Sequence, residues 1–311
     1  MSLRGLEMTL PVVLVLLIGI LLRKKKIISR EGIQTLKNIA VNVTLPAVVL
    51  RAFATTTFTV QNIVIPLAMF GVCVLAYFVG KLAAKLLKMP SPFVPFLTTG
   101  FEAGMLGYTL YEMLYGADKV SAFAIVDLGQ ALFVFTVFKL LLSHLHDDKS
   151  QLKPGPIFLE MVKSPIIIAI AAGILIGATG LYDALKPSGV SGLFDAATQF
   201  VAAPTSVLIL LVVGYDLTIK GVQWGSVSKV ILLRLAVMML LMVPAVWAFE
   251  TFLGISADVK AAVYLMFILP PPFVLPAFAD DENERGNVAS VLSVYTLVTI
   301  AGFFVLTALV G

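Results

Sequence analysis

Ser91-Pro-Phe-Val-Pro-Phe-Leu-Thr-Thr-Gly-Phe-Glu-Ala-Gly-Met-Leu-Gly-Tyr-Thr-Leu110 is the stretch on which the fold of this chain turns. Its carboxylate, Glu102, has about ten mostly apolar residues on either side, too many for the side chain to reach a headgroup. An ionised group at the centre of a bilayer costs roughly 2.5–3.5 kcal/mol on insertion scales. It is retained only where it faces protein, water or an ion. Gly104 and Gly107 loosen any helix just beyond it. A second interruption stands late in the chain, at Ile268-Leu-Pro-Pro-Pro-Phe-Val-Leu-Pro-Ala277. Two interrupted apolar spans, one in each half, are the sequence pointer to a binding site in a membrane carrier.

Outward from these breaks the chain is apolar almost throughout. Hydrophobic residues make up 59% and charged ones 13%, with a mean hydropathy of +1.02, which excludes an ordinary soluble domain. Runs able to cross a ~30 Å hydrocarbon core fall at 6–23, 33–55, 61–87, 92–115, 119–143, 157–180, 193–215, 227–253, 258–279 and 287–310. Ten spans predict an all-α membrane protein. The longest hydrophilic stretch, His144 to Lys153, divides it nearly in half. The organisation expected is a first five-helix repeat over 1–146, a cytoplasmic connecting loop over 147–156 and a second repeat over 157–311.

The sequence pI of 9.1 reflects basic loops and not a nucleic-acid surface. Of the 22 Lys and Arg, five (Arg4, Arg51, Lys119, Lys186 and Lys260) lie on one side of the predicted membrane. The other seventeen, Arg234 among them, are assigned to the odd-numbered loops and their flanks. The positive-inside rule then puts both termini outside a cell inner (plasma) membrane. The first span runs straight into Arg23-Lys-Lys-Lys26 and lacks a small-residue cleavage site, so a permanent helix is expected there. Cys73 is alone and mid-span, so no disulfide framework arises.

The halves share a pattern. Asn42-Val-Thr-Leu-Pro-Ala-Val-Val-Leu50 in the second span and Val201-Ala-Ala-Pro-Thr-Ser-Val-Leu-Ile209 in the seventh each carry a central proline. Each is followed two spans later by an interrupted span. Five spans per half force the halves upside down relative to one another, which is the inverted-repeat plan of many secondary transporters.

With these residues in place, the chain resembles the auxin efflux carrier family over almost its whole length. The resemblance is carried by Asn42-Val-Thr-Leu-Pro46, Gly104-Met-Leu-Gly107, Lys163-Ser-Pro-Ile-Ile-Ile168 leading to Gly173 and Gly177, and Ala202-Ala-Pro-Thr205 leading to Gly214. Pro270-Pro-Pro272 with Glu284-Arg-Gly286 adds to it. The family is similar in fold to bile-acid sodium symporters, which implies ten helices, inverted repeats and crossed, broken spans 4 and 9. It also implies a mobile core of spans 3–5 and 8–10 moving against a scaffold of spans 1, 2, 6 and 7, and an auxin- or malonate-like organic anion as substrate. The chain departs from the family where Glu102 and Thr109 stand in place of an asparagine and a proline, and where Phe273 and Val274 follow the prolines. An amide donates to a substrate carboxylate, whereas an ionised Glu repels it.

The proline break has its own chemistry. Pro270, Pro271 and Pro272 lack N–H groups, so the carbonyls of Met266, Phe267 and Ile268 are expected to lose their helical partners and to face a cavity, an ion or protein. With Glu102 across the crossing, they predict a site of hard oxygens suited to Na⁺ or a proton. The expected substrate contacts are Glu102, Ala103, Gly104, Asn42, Pro271, Pro272 and Phe273. The coupling ion is expected at Glu102, Asp127, Gln130, Phe267, Ile268 and Ser293, with Na⁺ at Glu102 as the metal candidate. Asp127 and Gln130 share a face one turn apart and read equally as a structural pair. Asn42 and Thr44 beside Pro46 read first as structural donors. Ser290, Ser293 and Thr296, on one face of the last span, read as close-packing devices or as part of the transport path.

Other features read as bland. Glu112, Tyr111 and Tyr115 are expected to form an interfacial belt. Asp280-Asp-Glu-Asn-Glu-Arg285 is expected to be a solvated loop, Lys24 to Lys26 to contact anionic lipid, and His144 and His146 to bind no metal. Gly173 and Gly177 predict tight scaffold packing or a homodimer contact. No phosphate loop, nucleophile motif or paired catalytic carboxylates point to an enzyme. A secondary carrier of a small organic anion, coupled to Na⁺ or H⁺, leads. Behind it stand a Na⁺-coupled carrier of a larger amphipathic ligand and a channel or sensor that keeps the carrier fold.

Overall fold

Where apolar side chains run on without interruption the backbone can satisfy its N–H and C=O groups only within itself, and helix follows. The computed structural model describes residues 3–143, 145, 154–219 and 221–310, and among these there is no β-strand. His144, His146 and most of the predicted 147–156 loop lie outside the described residues, as do Lys149, Lys153 and Lys220 of the basic side.

The first half opens with α1 (Leu3–Lys24). Next comes α2 (Arg30–Ile39), continued through a wide π turn (Ala40–Thr44) into α3 (Leu45–Ala54), and then α4 (Gln61–Leu86). The short α5 (Val94–Leu97) and α6 (Tyr108–Tyr115) flank an unwound segment, and α7 (Val120–Phe133) runs through a second π turn into α8 (Lys139–Ser143). The second half holds α9 (Pro154–Lys163), α10 (Pro165–Ala178), α11 (Leu181–Ala184), α12 (Val190–Ala202) and α13 (Thr205–Asp216). It ends with α14 (Trp224–Ala248), α15 (Ala257–Ile268) and the long α16 (Glu282–Val310). Six helical stretches among the described residues are long and apolar enough to cross a membrane: Arg30–Ala54, Gln61–Leu86, Ala117–Leu142, Val190–Asp216, Trp224–Leu253 and Glu282–Ala308. Many of their outward side chains are large and apolar, including Leu67, Leu82, Phe200 and Leu232, as a lipid-facing surface requires.

Two helix pairs pack most closely, α1 with α13 and α3 with α10. Both contacts depend on glycine. A Cβ at Gly19 would collide with the Leu211 carbonyl, and one at Gly214 with the Leu16 carbonyl. Gly173 and Gly177 abut Leu50 and Phe53 of α3 in the same way. Of the two roles expected of Gly173 and Gly177, tight packing within the chain is the one these contacts show. Small residues let backbones approach where lipid supplies no hydrophobic drive between helices.

Of the belt expected at Tyr111, Glu112 and Tyr115, one member is turned into the protein instead. Tyr111 is buried, its hydroxyl donates to the Asp258 carbonyl at 3.0 Å, and its ring stacks on Tyr115 at 5.2 Å. Glu112 accepts from the Ser206 hydroxyl of α13 at 3.0 Å. These are inter-helix contacts, in which a buried Tyr hydroxyl finds its partner within the protein.

Candidate functional site

Glu102 is placed by the break itself. α5 ends at Leu97, and Gly100 turns the chain at φ +64°, a left-handed conformation that any side chain would strain. A Cβ there would also press on the Pro272 ring at 2.9 Å. Glu102 then caps the wide turn Ala103–Gly107, its Oε1 accepting the Met105 N–H at 3.2 Å. Its Oε2 accepts the Phe273 N–H, from the other break, at 2.5 Å. Its own N–H donates to the Pro270 carbonyl at 2.8 Å. One residue thus joins the two interruptions through both backbone and side chain.

The carbonyls expected to stand free are largely taken by protein. Met266 C=O accepts the Leu269 N–H at 3.1 Å, and Ile268 C=O accepts the Thr299 hydroxyl at 2.6 Å. The Leu269 carbonyl accepts from Arg234 Nη2 at 2.9 Å. An unmet carbonyl at membrane depth costs several kcal/mol, so nearby donors fill the vacancies that prolines create.

Arg234 is the residue that sequence reasoning misplaced. It is no loop flank. It stands ten residues into α14 with 0% exposure, the largest fully buried side chain among the described residues. Its Nη1 donates to the Leu97 carbonyl at 3.0 Å and the Thr99 carbonyl at 3.4 Å, and its Nη2 also donates to Gly100 C=O at 2.8 Å. The signal was present in Ile231-Leu-Leu-Arg-Leu-Ala-Val237: a charge with apolar neighbours on both sides, as at Glu102.

Asp127 and Gln130 reach the break from α7. Gln130 Nε2 donates to Asp127 Oδ1 at 2.9 Å, and the Tyr108 hydroxyl donates to Asp127 Oδ2 at 3.0 Å. Gln130 Oε1 accepts the Phe101 N–H at 3.3 Å. The pair therefore holds the backbone beside Glu102, and no hydrogen bond runs from it to Glu102 itself. Phe267 lays its ring edge-on to Phe101 at 5.7 Å, and Ala103 is buried. Gly104 leaves room for Leu45, which its Cβ would meet at 3.5 Å. Pro271 is buried in the break and Pro272 packs on Gly100. Asn42 is not brought to the crossing. It is exposed, and its amide donates to the Asn38 carbonyl at 3.0 Å.

A cavity of about 360 Å³ adjoins the crossing. Met105 and Phe273, the two donors to Glu102, form part of its lining. Arg30, Gln34 and Lys37 of α2 line one wall, and Asp216 and Thr218 stand at the end of α13. Ser293 and Thr296 of α16 line it too, with Ser293 Oγ accepting the Thr218 N–H at 3.3 Å. Neither Arg30 nor Lys37 forms an ion pair among the described residues. Two cations unpaired among the described residues outnumber the one carboxylate of the lining, Asp216, and with apolar Val212, Val213 and Leu292 around them they suit a small anion with an apolar part.

Ion pairs lie away from this cavity, at the other end of the α2–α3 span. Arg51 of α3 pairs with Asp118, before α7, at 3.0 Å and with Asp195 of α12 at 3.2 Å, and Tyr182 donates to Asp195 at 2.6 Å. Arg51 lies twenty-one residues along the α2–α3 span from Arg30, roughly 30 Å at helical rise. Comparison with protein-family models and with curated proteins finds no match to this chain.

Proposed function

We propose that this protein is a secondary active carrier of a small organic anion, coupled to H⁺ or Na⁺, that works by alternating access in a cell inner membrane. The observation that carries the reading is the joining of two broken helices at Glu102 beside a cavity bearing Arg30 and Lys37. Ten spans in two inverted five-helix repeats account for the pairing of α1 with α13 and α3 with α10. These are spans 1 with 7 and 2 with 6, a pair of contacts that the repeat exchanges.

On this reading spans 1, 2, 6 and 7 are the scaffold, and the core carries the crossing. Arg51–Asp118 and Glu112–Ser206 then bridge scaffold and core, closing the outer end while the cavity opens among the basic residues of the inner one. Ionised Glu102 occupies the N–H groups of Met105 and Phe273. Neutralised, it accepts less well, and a substrate carboxylate takes a freed N–H while Lys37 meets its charge. Cation and anion then cross together. The cavity volume favours a small substrate over a large amphipathic one. Contacts that bridge scaffold and core at the outer end favour a gated carrier over an open channel.

A thermal-shift screen of carboxylic acids, neutral amino acids and sterol-like ligands, with and without Na⁺, tests the substrate class. Stabilisation by small carboxylates is expected. Stabilisation by neutral or cationic compounds alone ends the organic-anion reading.

A further inference from the structure

We infer that Arg234 is the resident cation of the crossing: its guanidinium fills the carbonyl-lined place where broken helices would otherwise hold a metal cation. Four carbonyls converge on it, Leu97, Thr99 and Gly100 from the first break and Leu269 from the second. The one-turn α5 ends at Leu97 and α15 ends at Ile268, so carbonyls released at both helix ends gather here. A positive charge is what that geometry requires. Neutral carbonyl rings hold metal cations in filters and pores, and here the guanidinium spans the set with four hydrogen bonds of 2.8–3.4 Å.

Its planar fork suits this task, presenting several N–H donors in fixed directions. The Phe101 ring lies 5.6 Å from its Cζ and the Tyr295 ring 5.1 Å, so aromatic faces flank the charge in the protein interior. No carboxylate pairs with it among the described residues. A metal ion entering the cluster would have to displace a tethered cation of the same sign while still close to it. The site is filled from within, and Arg234 positions both breaks against each other. Where the carrier reading holds, this carbonyl cluster is closed to a coupling Na⁺, and Glu102, both of whose oxygens already accept N–H donors, is left to couple a proton.

Cys73, the one cysteine of the chain, reports on this place. It is buried, its carbonyl accepts the Thr99 hydroxyl at 2.5 Å, and Thr99 passes its own carbonyl to Arg234. The experiment uses purified full-length protein in detergent, with thermal unfolding in NaCl, KCl and choline chloride at equal ionic strength, and thiol labelling of Cys73. The wild type is expected to give one midpoint in all three salts and a silent Cys73. Arg234→Ala is expected to lose on the order of 10 °C, to regain part of it saturably with methylguanidinium, and to expose Cys73 until methylguanidinium is added. Arg234→Lys keeps the charge with fewer bonds. It is expected to fold with a smaller loss and the same indifference to salt, which carries the test if the alanine variant does not fold. A saturable Na⁺-specific rise in the wild type overturns the inference, as does an Arg234→Ala protein with unchanged midpoint. None of these readouts needs flux, so a failure of transport and a failure of this assignment are told apart.

Discussion

Glu102 holds two N–H donors with two carboxylate oxygens, and glutamine has only one oxygen to offer. Glu102→Gln is therefore expected to abolish gradient-driven uptake while still permitting exchange of substrate across sealed proteoliposomes. Normal accumulation by this variant shows the carboxylate to be structural. Thr109 has the opposite character. It is buried, and its hydroxyl has no partner among the described residues. Such a group costs about 1–3 kcal/mol, so Thr109→Val, similar in shape, is expected to raise the thermal midpoint. An unchanged or lowered midpoint refutes that. At this scale Glu102 was legible because a mid-span carboxylate has few bland explanations. Arg234 carries the same signal, but a positive charge near other basic residues reads first as a topology marker. Asn42 misled for another reason: an amide beside a proline can serve its own helix as well as a ligand, and it donates to Asn38.

The helices were read from length and hydropathy, and both breaks fall where glycine and proline put them, at 98–102 and 269–274. Composition did not disclose the π turns at Ala40–Thr44 and Ala103–Gly107, nor which partner each glycine faces. Those depend on tertiary approach. Gly214→Ala would drive a Cβ onto the backbone of Leu16, which cannot rotate away, so a loss of roughly 3 kcal/mol or more is expected. Gly71 of α4 has nothing within 4 Å of its would-be Cβ, and Gly71→Ala is expected to be neutral or to gain up to about 1 kcal/mol of helix propensity. Thermal unfolding of the two variants side by side checks this. Equal effects would mean that the close contact of α1 with α13 is not as described.

On the carrier reading, the cavity at one end and the ion pairs at the other make up one of two alternating states. Asp118 is 86% exposed, so its pair with Arg51 is worth less than about 1 kcal/mol, which a moving gate can give up. Asp118→Asn is expected to leave the fold intact and to speed labelling, from outside, of a cysteine placed at Leu210, between Ser206 and the cavity. Unchanged labelling removes Arg51–Asp118 from the mechanism. The carrier reading as a whole is tested most directly by the uptake of a small radiolabelled carboxylate into proteoliposomes under an imposed pH gradient. The account predicts saturable, uphill accumulation that a protonophore collapses, that is unchanged when choline replaces Na⁺, and that Glu102→Gln lacks. Flux that rises linearly with concentration, or binding with no flux at all, would contradict it.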